Sequence, residues 1–201
     1  MEFKKIQLNG FKSLAEKTNF LIEDGLTGIV GPNGCGKSNI VGSVRWVMGE
    51  TSAKSMRGSG MEDVIFSGTS NKASKNIAEV SIEVENKDKE GPIQYRELDQ
   101  IQIRRKIEKD KGSKFYINDK EVRARDAQMF FADLSTGAHS PSMISQGRIG
   151  ALVTAKPTDR RAILEEAAGI SGLHVRRHEA ELRLGAAENN LKRADELRRQ
   201  Q

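Results

Sequence analysis

The sequence has few of the features that mark secreted or membrane-spanning proteins. Cys35 is the only cysteine among the 201 residues, so no disulfide can form within the chain and a reducing compartment is expected. No stretch reaches the roughly 20 apolar residues that a transmembrane helix needs, and the first residues lack the apolar core of a secretion signal. These absences predict a soluble, cytoplasmic protein with no membrane partner.

Aromatic residues are also scarce, at 5% of the chain, whereas charged residues make up 30%. A chain of this length can bury one good core. The composition therefore favours one compact domain with a solvated extension over two domains. The formal net charge of +5 is compatible with a polyanionic partner such as nucleic acid, but the basic residues are spread along the whole chain and do not single one out.

Alternating apolar and polar residues, bounded by turn residues, predict the β-strands. The predicted strands are Lys4–Leu8, Phe20–Ile22, Leu26–Val30, Val64–Phe66, Ile77–Val84, Ile101–Ile107 and Phe115–Ile117. We expect Leu26–Val30 to be a short buried strand that ends in a glycine-rich turn. The last three strands are expected to form a meander.

Apolar residues at helical spacing predict three helices, over Ser38–Met48, over Glu121–Leu134 and from Pro157 to about Ala168. A further periodic segment begins at Leu173, where apolar or small residues recur at alternating steps of four and three residues. This heptad-like spacing amid dense charge predicts a coiled coil, and a single solvated amphipathic helix is the alternative.

A phosphate-binding motif follows the predicted strand Leu26–Val30. Residues 31–38 read Gly-Pro-Asn-Gly-Cys-Gly-Lys-Ser and fit the P-loop pattern GxxxxGK[ST] between an apolar strand and an amphipathic helix. Glycines let the backbone N–H groups approach phosphate oxygens, and the start of the helix adds the positive end of its dipole. Lys37 is expected to bridge the β- and γ-phosphates of a nucleotide, and the Ser38 hydroxyl to bind Mg²⁺. Cys35 is expected to contribute only backbone.

Two other patterns imitate functional sites. Met129–Asp133 has four apolar residues and an acid, as in a Walker B strand, but Leu134 stands where a catalytic glutamate would be expected. We interpret this segment as the buried end of a helix. His174 and His178 could share a metal ion on one helix face, but no third ligand is evident, so we interpret them as part of a charged helix surface.

Several segments besides the P-loop resemble, in the right order, the N-terminal ATPase head half of bacterial SMC (structural maintenance of chromosomes) condensins. These segments are Phe11–Ser13, Arg45–Glu50, Met56–Gly58, Met61–Phe66, Ser145–Gly147 and Glu165–Gly169. The resemblance implies an α/β fold of the ABC-type P-loop NTPase head lobe, with a mixed sheet, an antiparallel meander and flanking helices, followed by the start of an antiparallel coiled coil. It assigns residues 1–170 to the lobe and residues 171–201 to the coiled-coil neck.

The resemblance also implies roles at the matching positions. Gln146, in the Q-loop, would complete the Mg²⁺ shell and sense the γ-phosphate. Arg57, in the R-loop, would approach the nucleotide and couple hydrolysis to DNA. The expected catalytic residues are Lys37, Gln146 and Arg57, and the expected Mg²⁺ ligands are Ser38 and Gln146. The expected ATP-binding residues are Lys12, Ser13, Pro32, Asn33, Gly34, Cys35, Gly36, Lys37, Ser38, Asn39 and Gln146.

Two parts of a complete ABC-type head are not found in the sequence, the Leu-Ser-Gly-Gly signature and the Walker B Asp-Glu pair. In SMC proteins both lie in the C-terminal half of the head, so the chain is expected to bind ATP without hydrolysing it alone. The implied partners are that C-terminal half, a second SMC copy, a kleisin subunit at the neck, and DNA. The implied role is ATP-driven chromosome condensation and segregation at the nucleoid.

Two alternatives stay open at this stage. One is a coiled-coil ABC ATPase of DNA repair, against which the segments around Arg57 and Gln146 argue. The other is a non-catalytic interaction module. For DNA contact, the candidate residues are Lys54, Arg57, Lys72, Lys75, Arg104 and Arg105.

Overall fold

The computed structural model describes residues 1–89, 91–134, 143, 144, 150, 153–167 and 171–200. The strands are β1 (Glu2–Asn9), β2 (Thr18–Leu21), β3 (Ile77–Glu85), β4 (Gln100–Glu108), β5 (Gly112–Ile117) and β6 (Lys120–Val122). The helices are α1 (Lys37–Val47), α2 (Ala124–Asp133), α3 (Pro157–Ala167) and α4 (Ser171–Gln200). Short 3₁₀ turns cover Met61–Val64 and Ile93–Tyr95.

The six strands pair in the order β2-β1-β3-β4-β5-β6, and each of these pairings is antiparallel. Successive side chains of a strand point to opposite faces of the sheet. One face is therefore apolar, as in β3, where Ala78, Val80, Ile82 and Val84 are buried. The meander that the sequence predicts, from Ile77 to Ile117, is confirmed as β3, β4 and β5.

The apolar face of the sheet packs against two helices, α1 on β3 and β4, and α2 on β5. α1 buries Ile40, Trp46 and Val47, which recur at helical spacing along one side of the helix. Trp46 has no exposed surface. The core thus lies between the sheet and these two helices, and it fixes the direction in which α1 approaches from the P-loop.

The predicted buried strand Leu26–Val30 is wrong. These residues form neither a helix nor a strand, and the side chains of Leu26 and Val30 are 100% and 97% exposed. A strand requires a neighbouring strand to receive its backbone hydrogen bonds. No described strand pairs with this segment, so its apolar pattern does not produce a strand within the described fold.

Two other element predictions need correction. Val64–Phe66 is buried as expected, but it continues a 3₁₀ turn and joins the fold through a single bridge between Phe11 and Ile65. The helix predicted from Glu121 begins only at Ala124, because Lys120–Val122 pairs with the end of β5. At these three residues, hydrogen bonding to the neighbouring strand outweighs local helix propensity.

The remaining helix predictions are confirmed at nearly the predicted bounds. Gly49, with φ +104°, follows the end of α1 as the expected helix stop. Met129–Asp133 ends α2 and is helical, with Phe130 and Phe131 buried. Among the described residues, no helix has both the length and the apolar character needed to cross a membrane, and no group of metal-binding side chains occurs.

α4 runs for 30 residues and contacts α2 and α3. Its leucines at 182, 184 and 191 are exposed. Residues 168–170 lie outside the described ranges, as do the side chains of His174 and His178. The division of the chain at residue 170, the coiled-coil pairing and the interpretation of the two histidines stay predictions.

Candidate nucleotide-binding site

Gly36 is the N-cap of α1, where the P-loop turns into the helix. Its φ of +96° lies in the left-handed region, and a Cβ atom added there would lie 2.5 Å from the Ser13 hydroxyl oxygen. Glycine is therefore required both by the backbone conformation and by the contact with Ser13. No side chain caps the helix N-terminus at Gly36, and its first turn contains no acidic residue. The first N–H groups of α1 are thus directed at the loop, where they can bind an anion.

Lys37 extends back over the loop that precedes it. Its Nζ donates hydrogen bonds to the carbonyl oxygens of Gly31, at 2.5 Å, and Pro32, at 2.7 Å. The Cys35 sulfur lies 3.8 Å from the same Nζ. The ammonium group is thereby held at the P-loop, next to the helix N-terminus, which is the position a phosphate-binding cation requires.

Ser13 connects the P-loop to the turn that follows β1. Its hydroxyl oxygen accepts a hydrogen bond of 2.8 Å from the Asn39 Nδ2. Lys12, beside it, has a left-handed φ of +48° and donates its backbone N–H to the Val64 carbonyl oxygen at 2.7 Å. The structure therefore places the Lys12–Ser13 turn against the P-loop.

The Lys12 side chain connects this turn to the loop that carries Arg57. Its Nζ donates to the Met56 carbonyl oxygen. Burial, and secondly the positive charge of Arg57, lower the pKa of the Lys12 ammonium. Two cations thus lie close together, an arrangement that an anionic ligand would stabilise.

The Arg57 loop has a fixed backbone. Arg57 itself has φ +57°, which is uncommon for a residue other than glycine, and its N–H donates to the Lys54 carbonyl oxygen at 3.0 Å. The Asp63 carboxylate accepts hydrogen bonds from the Ser59 N–H at 2.6 Å, the Ser59 hydroxyl at 2.8 Å and the Gly60 N–H at 2.9 Å. These hydrogen bonds, first that from Gly60, hold the pKa of Asp63 below its ordinary value.

The P-loop helix, the Lys12 turn and the Arg57 loop surround a cleft of about 360 Å³. Its described polar lining comprises Lys12, Ser38, Asn39, Arg45, Lys54, Ser55 and Arg57. No carboxylate is among these residues, although Arg45 forms an ion pair of 3.1 Å with Glu50 behind the cleft. A concave surface with this excess of cations attracts polyanions such as nucleotide phosphates.

Four of the predicted site residues line this cleft, namely Lys12, Ser38, Asn39 and Arg57. Ser13 is tied to it through Asn39, whereas Lys37 contacts the carbonyls of Gly31 and Pro32 and is not among the described lining residues. Gln146 lies outside the described residues, although Ile144, two positions earlier, lines the same cleft. The roles of all these residues stay predictions. Asp63 was not anticipated from the sequence, since an aspartate in a polar loop carries no distinctive pattern.

Arg105 was predicted to contact DNA, and this is wrong because its side chain is only 3% exposed. The sequence did contain a signal for its burial, because Arg105 falls in register with the inward residues Ile101, Ile103 and Ile107 of β4. Its neighbour Arg104 faces outward and forms ion pairs with Glu79, at 3.3 Å, and Asp119, at 2.9 Å. Arg104 is therefore also largely neutralised.

Comparison with known proteins identifies the family. The model of the RecF/RecN/SMC N terminal domain matches residues 2–148. The chain belongs to this family. The chromosome partition protein Smc of Cereibacter sphaeroides is 55% identical over 197 residues, which cover 98% of the chain but only 17% of that protein.

Solved SMC heads share the fold. A Smc head domain with an extended coiled coil from Pyrococcus furiosus, bound to the C-terminal domain of ScpA, is 33% identical with a TM-score of 0.77, over 97% of this chain and 48% of that one. A chain from structural work on ATP-driven dimerization and DNA-stimulated activation of SMC ATPases is 32% identical with a TM-score of 0.71, over 83% of this chain and 99% of that one. The predicted head-lobe fold and the SMC interpretation are confirmed, in preference to the DNA-repair and interaction-module alternatives.

Proposed function

We propose that this chain is the ATP-binding half of an SMC chromosome-partition ATPase. The observation that carries the proposal is the cleft in which the P-loop helix, the Lys12–Ser13 turn and the Arg57 loop meet. Four basic residues line this cleft, Lys12, Arg45, Lys54 and Arg57, and no carboxylate is among its described lining residues. A nucleotide triphosphate complements this charge, and the P-loop provides the backbone N–H groups to orient it.

The side chains have distinct tasks in this proposal. The Lys37 ammonium exchanges its contacts with the Gly31 and Pro32 carbonyls for the β- and γ-phosphates. The Ser38 hydroxyl, at the first turn of α1, and the Gln146 amide would hold Mg²⁺, which would neutralise phosphate charge. Arg57, on the loop that borders the cleft, would reach the nucleotide only when two heads engage, where its planar guanidinium can bind phosphate oxygens with two N–H groups at once.

The exposed segment Leu26–Val30 supports a head completed by a second polypeptide segment. Its apolar residues directly precede the P-loop, yet Leu26 and Val30 are almost entirely exposed. Pairing with a strand of the C-terminal half would bury them and satisfy their backbone hydrogen bonds. That half would also supply the Leu-Ser-Gly-Gly signature and the Asp-Glu pair, so hydrolysis requires it.

The other proposed partners follow from α4 and from the relatives. The exposed leucines of α4 favour a returning helix of the coiled coil, and the neck so formed would bind a kleisin. Engagement of two copies through ATP, coupled to DNA through Arg57, would organise the chromosome in the cytoplasmic nucleoid. Of the DNA-contact candidates, Lys54, Arg57, Lys72 and Lys75 are exposed and stay in the proposal, although Lys72 forms an ion pair of 2.6 Å with the exposed Glu16.

Calorimetric titration of the chain with MgATP tests the binding function. Lys37→Ala should abolish measurable binding, because it removes the cation at the β- and γ-phosphates. Lys17→Ala is the matched control, since Lys17 is an exposed lysine outside the cleft, and it should leave the affinity unchanged. Equal affinities of the wild-type chain and the Lys37→Ala variant would contradict the proposed site.

A further inference from the structure

Arg105 is a charged residue in the middle of the apolar core. It lies on the inward face of β4, between Ile103 and Ile107, and its side chain is almost completely buried. Burial lowers the pKa of Arg105 to about 10, while the Glu50 carboxylate acts in the opposite direction, so the guanidinium is protonated at pH 7. A buried charge is costly unless its hydrogen bonds are satisfied. Such a residue therefore suggests a specific role.

Two of the three hydrogen bonds of Arg105 are directed at the C-terminal end of α1 and the segment that follows it. Its Nη1 donates to the carbonyl oxygens of Trp46 and Glu50, both at 2.7 Å. Its Nε donates to the Ser113 hydroxyl oxygen on β5, also at 2.7 Å. The last carbonyl groups of a helix have no partner within the helix and form the negative end of its dipole, so a buried cation is well suited to this position.

The same guanidinium fixes the Trp46 side chain. Its central carbon lies 4.5 Å from the centre of the Trp46 ring and 4.6 Å from that of Phe115. Trp46 in turn lies 5.4 Å from the Phe11 ring and donates its indole N–H to the Met61 sulfur at 3.3 Å. Phe11 directly precedes Lys12 and Ser13, and Met61 begins the turn after the Arg57 loop.

Arg105 and Trp46 thus connect the three elements that surround the nucleotide cleft. α1 has 11 residues and is about 16 Å long at 1.5 Å per residue. Because a helix of this length behaves as a rigid rod, contacts that fix its C-terminal end also set the direction of its N-terminal end, where Lys37 and Ser38 lie. These contacts come from the antiparallel sheet, through the Arg105 side chain.

We propose that Arg105 is a positioning residue of the nucleotide site: from behind the cleft, it sets α1 and Trp46 relative to the Lys12 and Arg57 loops and thereby determines nucleotide affinity. The inference rests on the proposed ATP-binding function. It assigns Arg105 no contact with the nucleotide. If Arg105 only stabilised the fold, its replacement would lower the unfolding temperature and leave the nucleotide affinity of the folded protein unchanged.

The test uses the 201-residue chain, in which Trp46 is the only tryptophan. Arg105→Lys retains the positive charge but cannot reproduce the planar fork that reaches Trp46, Glu50 and Ser113 together. We expect MgATP affinity to fall roughly three- to tenfold, as loss of one or two hydrogen bonds that hold the site would produce, and Trp46 emission to shift in wavelength and intensity. The control Ile107→Val, two residues along the same strand face, should lower the unfolding temperature and change neither property.

Ser113→Ala is a milder variant in case Arg105→Lys does not fold, because it removes only the acceptor of the Arg105 Nε. It should weaken MgATP binding about twofold. Arg105→Lys and Ser113→Ala chains that bind MgATP like the wild type, with unchanged Trp46 emission, would overturn the positioning role and leave the proposed function intact. A wild-type chain that does not bind MgATP would contradict the proposed function itself.

Discussion

Replacement of Gly36 by alanine tests the geometry of the P-loop. Gly36 and Gly34 both have left-handed φ values, +96° and +84°, so alanine at either position should cost about 1–2 kcal/mol. Only at position 36 would the new Cβ also lie 2.5 Å from the Ser13 hydroxyl oxygen, whereas at position 34 it meets nothing within 4 Å. Ser13 must then move and lose its hydrogen bond from Asn39, at a further cost of about 0.5–1.5 kcal/mol.

The assay is urea unfolding of six chains: the wild type, the alanine variants at positions 13, 34 and 36, and the two doubles that combine Ser13→Ala with each glycine variant. Ser13→Ala alone should cost about 0.5–1.5 kcal/mol, but almost nothing in the Gly36→Ala background, because the hydrogen bond is already lost there. In the Gly34→Ala background it should cost its full amount. Additivity of Ser13→Ala and Gly36→Ala within about 0.3 kcal/mol would refute the contact between the P-loop and the Lys12–Ser13 turn.

Three further predictions concern the loops around the cleft and the exposed segment before it. In a completed head dimer, Arg57→Ala should retain ATP binding within about twofold and lose the DNA-stimulated part of hydrolysis; equal loss of the basal and stimulated rates would exclude a coupling role. Leu26→Ser should change the unfolding free energy of the isolated chain by less than about 0.5 kcal/mol, since the side chain is fully exposed. The same variant should weaken assembly with a C-terminal head half in a pull-down. Strong destabilisation of the isolated chain would contradict the observed exposure. The pKa of Asp63 is lowered in the folded chain, so its stabilising effect is complete above the ordinary aspartate pKa and is lost as the pH falls through the lower, folded value. Asp63→Asn should therefore flatten the acid side of the plot of unfolding free energy against pH. An unchanged plot would rule out this contribution.

Sequence patterns predicted the parts of the fold whose partners lie close along the chain. The meander of β3, β4 and β5 is a set of neighbouring strands with clear alternation, and α1 follows directly from the P-loop and its apolar spacing. Candidate residues for the site could also be named from the sequence, because the P-loop is a short contiguous motif and the family resemblance supplied Lys12, Ser13 and Arg57. Their roles stay predictions. Lys12, Ser38 and Arg57 line one cleft because the turn after β1, helix α1 and the Arg57 loop contribute Phe11, Trp46 and Met56 to the same core.

The failures arise where the structure depends on a partner that the local sequence pattern does not reveal. Leu26–Val30 has the composition of a buried strand, but burial depends on a neighbour that the described residues do not supply. Lys120–Val122 became a strand because β5 offers it hydrogen bonds. Arg105 was counted as surface charge although it falls in register with the inward residues of β4, because the pattern does not reveal the ring and carbonyl of Trp46, about 60 residues away in sequence, that accommodate its charge.

The most direct test of an ATP-binding half that needs a partner is phosphate release, measured for this chain alone and after assembly with an SMC C-terminal head half that carries its own coil segment. In the proposal, Lys37, Ser38 and Gln146 of this chain hold phosphate and metal, and the groups that position and polarise the attacking water come from the other half. Turnover should be at background for the isolated chain and should appear on assembly, with loss of both turnover and ATP binding in Lys37→Ala. ATP turnover by the isolated chain that is abolished by Lys37→Ala would contradict the account, because it would place the complete catalytic machinery within these 201 residues.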